Sequence, residues 1–282
     1  MVKKINKKID KLFDKYILDQ VNKKFPVYRI HKYSNEYCLK MFKCMLIDVT
    51  RWVSLTKLSD YKGETEYHYK YLNSVFNKWA SKDIFSDAYK QLLQNEYLKL
   101  KHIKNNKTIN LFIDSTFITN LYGINSIAVN PEYRKKKYSK ISIVSDENKV
   151  IIAVKYDETH LTDTNKPAFK HDVKLVQSTL NNMNIKLPKD KIVKLGGDKG
   201  YICRRRFKLN NGKRIKLIAT KRHNQAIQNT EREKKVLKKR LSVEMALASI
   251  KKYNRILVRK DKNIRNYMGF LFMGLIDIID KK

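Results

Sequence analysis

Three acidic residues occupy positions where carboxylates often do chemistry. Asp114 follows the apolar run 111–113, and Asp198 follows a predicted buried strand at 191–195 and two glycines. A carboxylate that ends a buried strand is held at a defined edge of a sheet, where functional sites usually lie. Glu244 lies on a predicted helix. Taken singly, each Asp fits a turn or helix cap equally well, and Glu244 fits an ordinary polar helix surface.

Taken together, the three carboxylates suit phosphodiester cleavage assisted by divalent cations. In-line attack at phosphorus uses two cations, one activating the attacking water or 3′-hydroxyl and one stabilising the leaving oxygen. Magnesium prefers oxygen ligands and keeps several waters, so about three carboxylates suffice. Two acids on adjacent strands and one on a packing helix can converge in this way.

Basic residues accompany these acids. Arg240 and Lys251 flank Glu244 at four and seven positions, and a continuous helix would place all three near one face. Four more cations follow Asp198 in the sequence: Lys199, Arg204, Arg205 and Arg206. Such side chains can hold phosphates. Solvation of the surface explains the last four equally well.

The whole chain is strongly basic, with 282 residues and a formal net charge of +35. An AT-rich coding bias explains its preference for Lys over Arg but not its few acids. A surplus of this size favours a nucleic-acid partner, through phosphate neutralisation and counterion release. Hydrophobic residues make up 42% of the chain, which argues against global disorder. The longest apolar run, 267–279, is too short to span a bilayer and predicts a buried terminal helix.

The hydrophobic spacing predicts an α/β fold. Three helices at about 37–53, 67–79 and 84–93 form a small all-helical module, and strands begin near Thr108. Thr230 and Glu233 form a capping box that opens a long helix reaching about Tyr253. The elements between are strands at 108–113, 138–145, 150–156, 191–195 and 215–219, a helix at 172–183 and a short helix at 204–209. This order is that of a ribonuclease-H-like mixed five-stranded sheet with flanking helices. The predicted domains are 1–105 and 106–282.

Three blocks of sequence resemble the DDE transposases of bacterial insertion sequences, in particular the group whose last motif is Y-x2-R-x3-E-x6-K. Arg240-Leu-Ser-Val-Glu244 matches R-x3-E, and Glu244 to Lys251 matches E-x6-K. Asp198-Lys199-Gly200-Tyr201 and Phe112-Ile113-Asp114-Ser115-Thr116 are similar to the blocks around the second and first Asp of the family. The resemblance runs from about Thr108 to the C-terminus. Leu237 stands at the Tyr position of the motif, which is a departure from the pattern.

The resemblance implies a ribonuclease-H-like catalytic domain that uses two Mg²⁺ or Mn²⁺ ions for DNA strand cleavage and then strand transfer at element ends. On that basis Asp114, Asp198 and Glu244 are the metal ligands. Arg240 and Lys251 contact DNA phosphates, with Lys199, Arg204, Arg205 and Arg206 as further candidates. The implied partners are double-stranded DNA and further copies of the chain, as a homodimer or higher oligomer. The implied location is intracellular and DNA-associated, in a bacterial nucleoid or in a nucleus or viral factory, without a membrane.

Two other functions remain open from the sequence. One is a DNA-binding protein derived from a transposase that no longer catalyses. The other is a structure-specific nuclease that cuts branched DNA without joining it. The N-terminal helices serve equally well for DNA binding or for dimerisation.

Overall fold

The computed structural model describes residues 12–25, 33–47, 51–53, 69–97, 103, 105–129, 137–158 and 169–280. The protein is a mixed α/β protein in which helices precede a mixed sheet with flanking helices. Its residues group into two compact units. The first unit comprises Met1–Leu92, Asn120–Ile124 and Ile250–Lys282, and the second comprises Leu93–Thr119 and Asn125–Ser249.

The described elements are numbered along the chain. The α-helices are α1 (Asp19–Lys24), α2 (Asn35–Ile47), α3 (Tyr69–Ser81), α4 (Ile84–Asn95), α5 (Asp172–Asn181), α6 (Glu231–Lys238), α7 (Leu241–Ile250), α8 (Asn254–Leu257) and α9 (Ile264–Asp280). The strands are β1 (Thr108–Asn120), β2 (Ala128–Val129), β3 (Lys137–Asp146), β4 (Ile151–Tyr156), β5 (Ile192–Gly197), β6 (Arg206–Lys208), β7 (Arg214–Ala219) and β8 (Val258–Arg259). A π-helical turn covers Asp14–Leu18, and a 3₁₀ turn covers Lys199–Tyr201.

The first unit has an aromatic core between its helices. Phe76 of α3 stacks on Phe270 of α9 with ring centroids 4.2 Å apart, and Phe42 of α2 meets Phe76 edge-on at 5.0 Å. Such pairs add about 0.5–1.5 kcal/mol each beyond their burial. The prediction of a buried C-terminal helix is therefore confirmed. The first predicted helix is present over Asn35–Ile47, and residues 48–50 lie outside the described residues. The predicted helical residues 51–53 form a turn.

The second unit is built on a sheet whose strand order is β2-β3-β1-β5-β7-β6, with β4 paired to β3. β3 runs antiparallel to both β1 and β4, whereas β5 runs parallel to β1 and to β7. All five predicted strands are present. Their β-branched and aromatic residues suit a buried, pleated surface. Helix α5 packs against β3 and β4 and buries Leu175, Val176 and Leu180, as its predicted amphipathic pattern requires.

The predicted helix at 204–209 is wrong, since this segment contains strand β6 paired antiparallel with β7. The physical reason is an alternation of buried and exposed side chains: Phe207 is buried between the exposed Arg206 and Lys208. A two-residue period is typical of a strand. Because the segment is short, its cations dominate the pattern and hide that period.

The long helix predicted from Thr230 to Tyr253 is wrong in its length. The capping box of Thr230 and Glu233 is present, but α6 ends at Lys238 and α7 begins at Leu241. Between them, Ser242 N–H donates to Lys239 O at 3.1 Å in a tight turn. The buried Val236 and Val243 keep the spacing of one continuous helix, so the apolar pattern gives no signal of this break.

Candidate catalytic site

Asp114 lies inside strand β1, not at its end. The strand continues to Asn120, and Asp114 is paired with Ile143 of β3. The expectation of a carboxylate at a strand end is therefore corrected: the polar residues after Asp114 stay extended because β3 pairs with them. One carboxylate oxygen of Asp114 accepts the Ser115 N–H at 2.8 Å.

Asp198 directly follows strand β5, as predicted. The parallel register pairs Phe112 with Gly196, and Asp114 and Asp198 each come two residues later. They therefore lie on the same side of neighbouring strands, which run about 4.8 Å apart. Asp198 also caps the following 3₁₀ turn by accepting the Gly200 N–H at 2.8 Å. Asp198 can therefore cap this turn and lie beside Asp114 at the same time.

The electrostatics of Asp114 connect these residues. The pKa of its carboxyl is raised from 3.8 to about 6, mainly by burial and in smaller part by the negative charges of Asp198 and Glu244. The Ser115 N–H and the Arg240 guanidinium oppose this rise in pKa. The folded chain thus gathers like charges around a buried carboxyl, an arrangement frequent at functional sites.

Glu244 lies in the first turn of α7 and is engaged by a cation. Arg240 Nη2 is 2.7 Å from Glu244 Oε1, with side chains 26% and 44% exposed. The prediction that Lys251 shares their helix face is wrong, since α7 ends at Ile250 and Lys251 lies in the following turn. Lys251 is grouped with the first unit, whereas Arg240 and Glu244 belong to the second.

Asp172 is a further carboxylate near these residues, and the sequence did not identify it as functional. The Ser115 hydroxyl donates to Asp172, and Lys140 Nζ lies 2.7 Å from Asp172 Oδ1. Burial raises the pKa of the Tyr201 phenol, and the charge of Asp172 is the next largest cause. The only signal in the sequence was an acid at a predicted helix start, which is equally explained by the helix dipole.

The carboxylates fit a divalent cation in chemistry but only partly in arrangement. Asp114 and Asp198 offer carboxylate oxygens, the ligands that Mg²⁺ prefers. Each uses one oxygen for a backbone N–H. Glu244 is held by Arg240, and in the described ranges no three His, Cys, Asp or Glu side chains lie close enough together to hold a metal ion. Asp114 and Asp198 thus each have one carboxylate oxygen that does not bind these N–H groups, whereas Glu244 is paired with Arg240.

The other predicted DNA-binding residues follow Asp198 on the surface. Lys199 begins the 3₁₀ turn and is exposed, as are Arg204, Arg205 and Arg206. Arg206 opens strand β6, and the Arg205 guanidinium lies 5.9 Å from the Phe207 ring centroid. The turn after Asp198 therefore leads directly into a basic surface.

A separate polar cleft of about 640 Å³ lies within the first unit. Its cations are Lys78, Lys260, Lys262 and Arg265, interspersed with Asn side chains. Burial lowers the pKa of Lys260, and the neighbouring charges of Arg255 and Arg51 lower it further. Such crowding of cations is suited to an anion, so the helical unit also offers a basic surface.

Among the helices of the described residues, none is both long and apolar enough to cross a membrane. Comparison of the chain with protein-family models, with curated proteins and with solved structures finds no match.

Proposed function

We propose that this chain is a DDE-type DNA transposase that cuts DNA strands and joins them to a target, with a ribonuclease-H-like catalytic unit. The observation that carries the proposal is the pair of Asp114, on strand β1, and Asp198, directly after the neighbouring parallel strand β5. The raised pKa of Asp114 marks a buried carboxyl among like charges, which a bound cation would relieve.

The strand topology supports the same proposal. The antiparallel strands β4, β3 and β1 are followed in the sheet by the parallel strands β5 and β7. This is the order that the ribonuclease-H-like resemblance implies. Asp114 lies on β1 and Asp198 directly follows β5, and both of these neighbouring strands are paired on their two sides. A fixed backbone of this kind suits a catalytic site.

Divalent cations at this site would supply Lewis-acid polarisation of the phosphate and a more acidic water or 3′-hydroxyl. The chain's own residues then have distinct tasks. Asp114 and Asp198 hold the cations, and the backbone N–H groups of Ser115 and Gly200 orient their carboxylates. Arg240 is suited to a DNA phosphate, because a guanidinium binds phosphate oxygens in a bidentate manner.

Glu244 would become a metal ligand beside Asp114 and Asp198 once a DNA phosphate replaces it as the partner of Arg240. The Arg240–Glu244 pair is partly exposed, and pairs of this kind contribute only about 0–1 kcal/mol. A phosphate that binds Arg240 would therefore free Glu244 at little cost. In this scheme the third ligand becomes available only when DNA is bound.

The same ion pair is the observation that favours the main alternative, a DNA-binding protein that does not catalyse. A carboxylate held by a guanidinium is not a free metal ligand. If the pair persists on DNA, the three acids do not assemble and the chain binds without cutting.

A cleavage and joining assay separates these functions. Labelled DNA carrying the ends that flank the coding region is incubated with Mg²⁺ and the parent, Asp114→Asn, Asp198→Asn or Glu244→Gln. A matched control is Asp190→Asn, whose side chain is 74% exposed in a surface turn. We expect cut and joined products from the parent and the control and none from the three site variants.

Each other result points to a different function. Binding without cutting by the parent would reject the transposase and favour the DNA-binding protein. Cutting without joined product would favour the nuclease. Full activity of Glu244→Gln would remove Glu244 from the site and leave the two strand carboxylates.

A further inference from the structure

The hairpin formed by β6 and β7 carries an unusual density of positive charge. Between Arg204 and Lys216 the chain has seven Lys or Arg residues and no acid. The register pairs Arg206 with Lys216 and Lys208 with Arg214, and all four side chains are exposed. Residues directly opposite one another share a face of the sheet, so the four cations lie together on one side.

The four positive charges on this face destabilise the hairpin. Cross-strand neighbours have Cβ atoms about 4.5–5.5 Å apart, and like charges facing each other are destabilising. Among the described residues, no carboxylate lies within ion-pair distance of these four side chains. An arrangement that costs stability and lacks internal neutralisation is suited to an external anion.

The hairpin is nevertheless firmly held. Phe207 and Ile215 are buried on its opposite face. Gln177 of α5 makes two hydrogen bonds to the backbone of Lys208, donating to its carbonyl at 2.9 Å and accepting its N–H at 3.0 Å. The cations therefore project from a fixed backbone, which lowers the entropy lost when a ligand binds.

A cleft of about 650 Å³ lies beside this face. Its cations are Arg205, Arg206, Lys208 and Arg214, and Gln177, Asn181 and Leu209 complete the lining. The Gln177 amide already donates to Lys208 O and Asn181 Oδ1, so the guanidinium and ammonium groups are the donors offered to phosphate oxygens. The lining thus has the chemistry of a phosphate-binding groove.

We propose that the exposed face of the β6–β7 hairpin, with Arg206, Lys208, Arg214 and Lys216, binds the sugar-phosphate backbone of duplex DNA. Cations on one face of a strand recur about every 6.6–6.8 Å, so an extended row of phosphates suits them better than one small anion. The face is dominated by cations, which favours contact with the phosphate backbone over reading of bases. The choice of DNA as the polyanion rests on the proposed function.

The test compares two variants of equal charge. Lys208→Gln with Arg214→Gln removes one facing pair, and Lys40→Gln with Lys90→Gln removes two exposed cations from helices α2 and α4. Binding to a labelled random-sequence DNA duplex is measured against salt concentration in a chelator, so that no cutting occurs. We expect the hairpin variant to lower the magnitude of the log–log salt slope by about 1.8, since each lost phosphate contact contributes about 0.9.

Stability of the free protein distinguishes a docking face from a structural one. The hairpin variant should unfold at an equal or higher denaturant concentration than the parent, because it loses like-charge repulsion. Should that variant fold poorly, Arg206→Gln with Lys216→Gln tests the same face. An unchanged salt slope, or an equal loss in the helix control, would overturn the proposal, as would tighter binding of RNA than of duplex DNA. Failure to cut DNA despite normal binding would reject the proposed function alone.

Discussion

The negative charge of the Asp114 carboxylate destabilises the folded state. Its pKa of about 6 exceeds the ordinary value of 3.8 because of burial, with further contributions from Asp198 and Glu244. Between these two pH values the folded state binds more protons than the unfolded state, so stability falls as pH rises. The loss is complete above about pH 6 and absent below about pH 4. At neutral pH it amounts to about 3 kcal/mol.

Asp114→Asn should therefore stabilise the metal-free protein at pH 7.5 by about 3 kcal/mol and have little effect at pH 4. The amide oxygen of Asn still accepts the Ser115 N–H, so local geometry is kept. Urea unfolding in a chelator, at both pH values, measures the difference. Excess Mg²⁺ should reduce this difference in the free energy of unfolding, because it stabilises only the parent. A variant less stable than the parent at pH 7.5 would show that Asp114 is structural.

At the scale of the element, strand β5 positions Asp198 through a close approach to β1. A Cβ on Gly196 would lie 2.8 Å from Cδ1 of the Phe112 ring, which is fully buried. Gly196→Ala should destabilise the protein by about 1–3 kcal/mol and displace Asp198 from Asp114. We expect single-turnover DNA cutting to fall sharply even where the variant remains folded.

Gly212→Ala serves as the comparison for Gly196→Ala. Gly212 has φ of +88° and no atom within 4 Å of the added Cβ, so Ala there adds backbone strain alone, about 1 kcal/mol. Its cutting rate with DNA at saturation should match that of the parent. Equal losses in the two variants would show that cutting tracks stability and not the β1–β5 approach.

The sequence correctly predicted the elements whose own apolar residues are enough to identify them. The five strands, α5 and the terminal helix all have strong apolar patterns, and all are present. Strand β6 is set by its pairing with β7, and the break before Leu241 leaves the apolar spacing unchanged. Local patterns do not carry that information.

The sequence likewise predicted only part of the candidate site. Asp198 follows a buried strand as expected, and Asp114 lies on its neighbour. Asp172 was missed because its contact with Ser115 joins residues 57 positions apart. The Arg240–Glu244 pair is local, with its residues four positions apart in the turn before α7 and in its first turn, but no motif tells whether it is an ion pair or two separate functional groups.

At the scale of the whole molecule, residues 250–282 belong to the same unit as the N-terminal helices. Helix α9 packs against α3 within that unit, and its Phe270 stacks on Phe76. The sequence suggested a boundary near residue 105. A cut there would separate two halves of one aromatic core, so experiments on DNA binding and cutting call for the full chain.

The net charge of +35 gives the last prediction, the salt dependence of DNA binding. Binding that neutralises phosphates releases counterions, and the affinity then falls as a power of the salt concentration. If the basic residues contact about six to ten phosphates, affinity should fall by about 10³ to 10⁵ between 50 and 200 mM salt. Fluorescence anisotropy of the full chain on a DNA duplex, with a chelator present, measures this fall. A complex that is insensitive to salt would show that the surplus of cations does not act through phosphates, and it would remove the charge argument for a DNA partner.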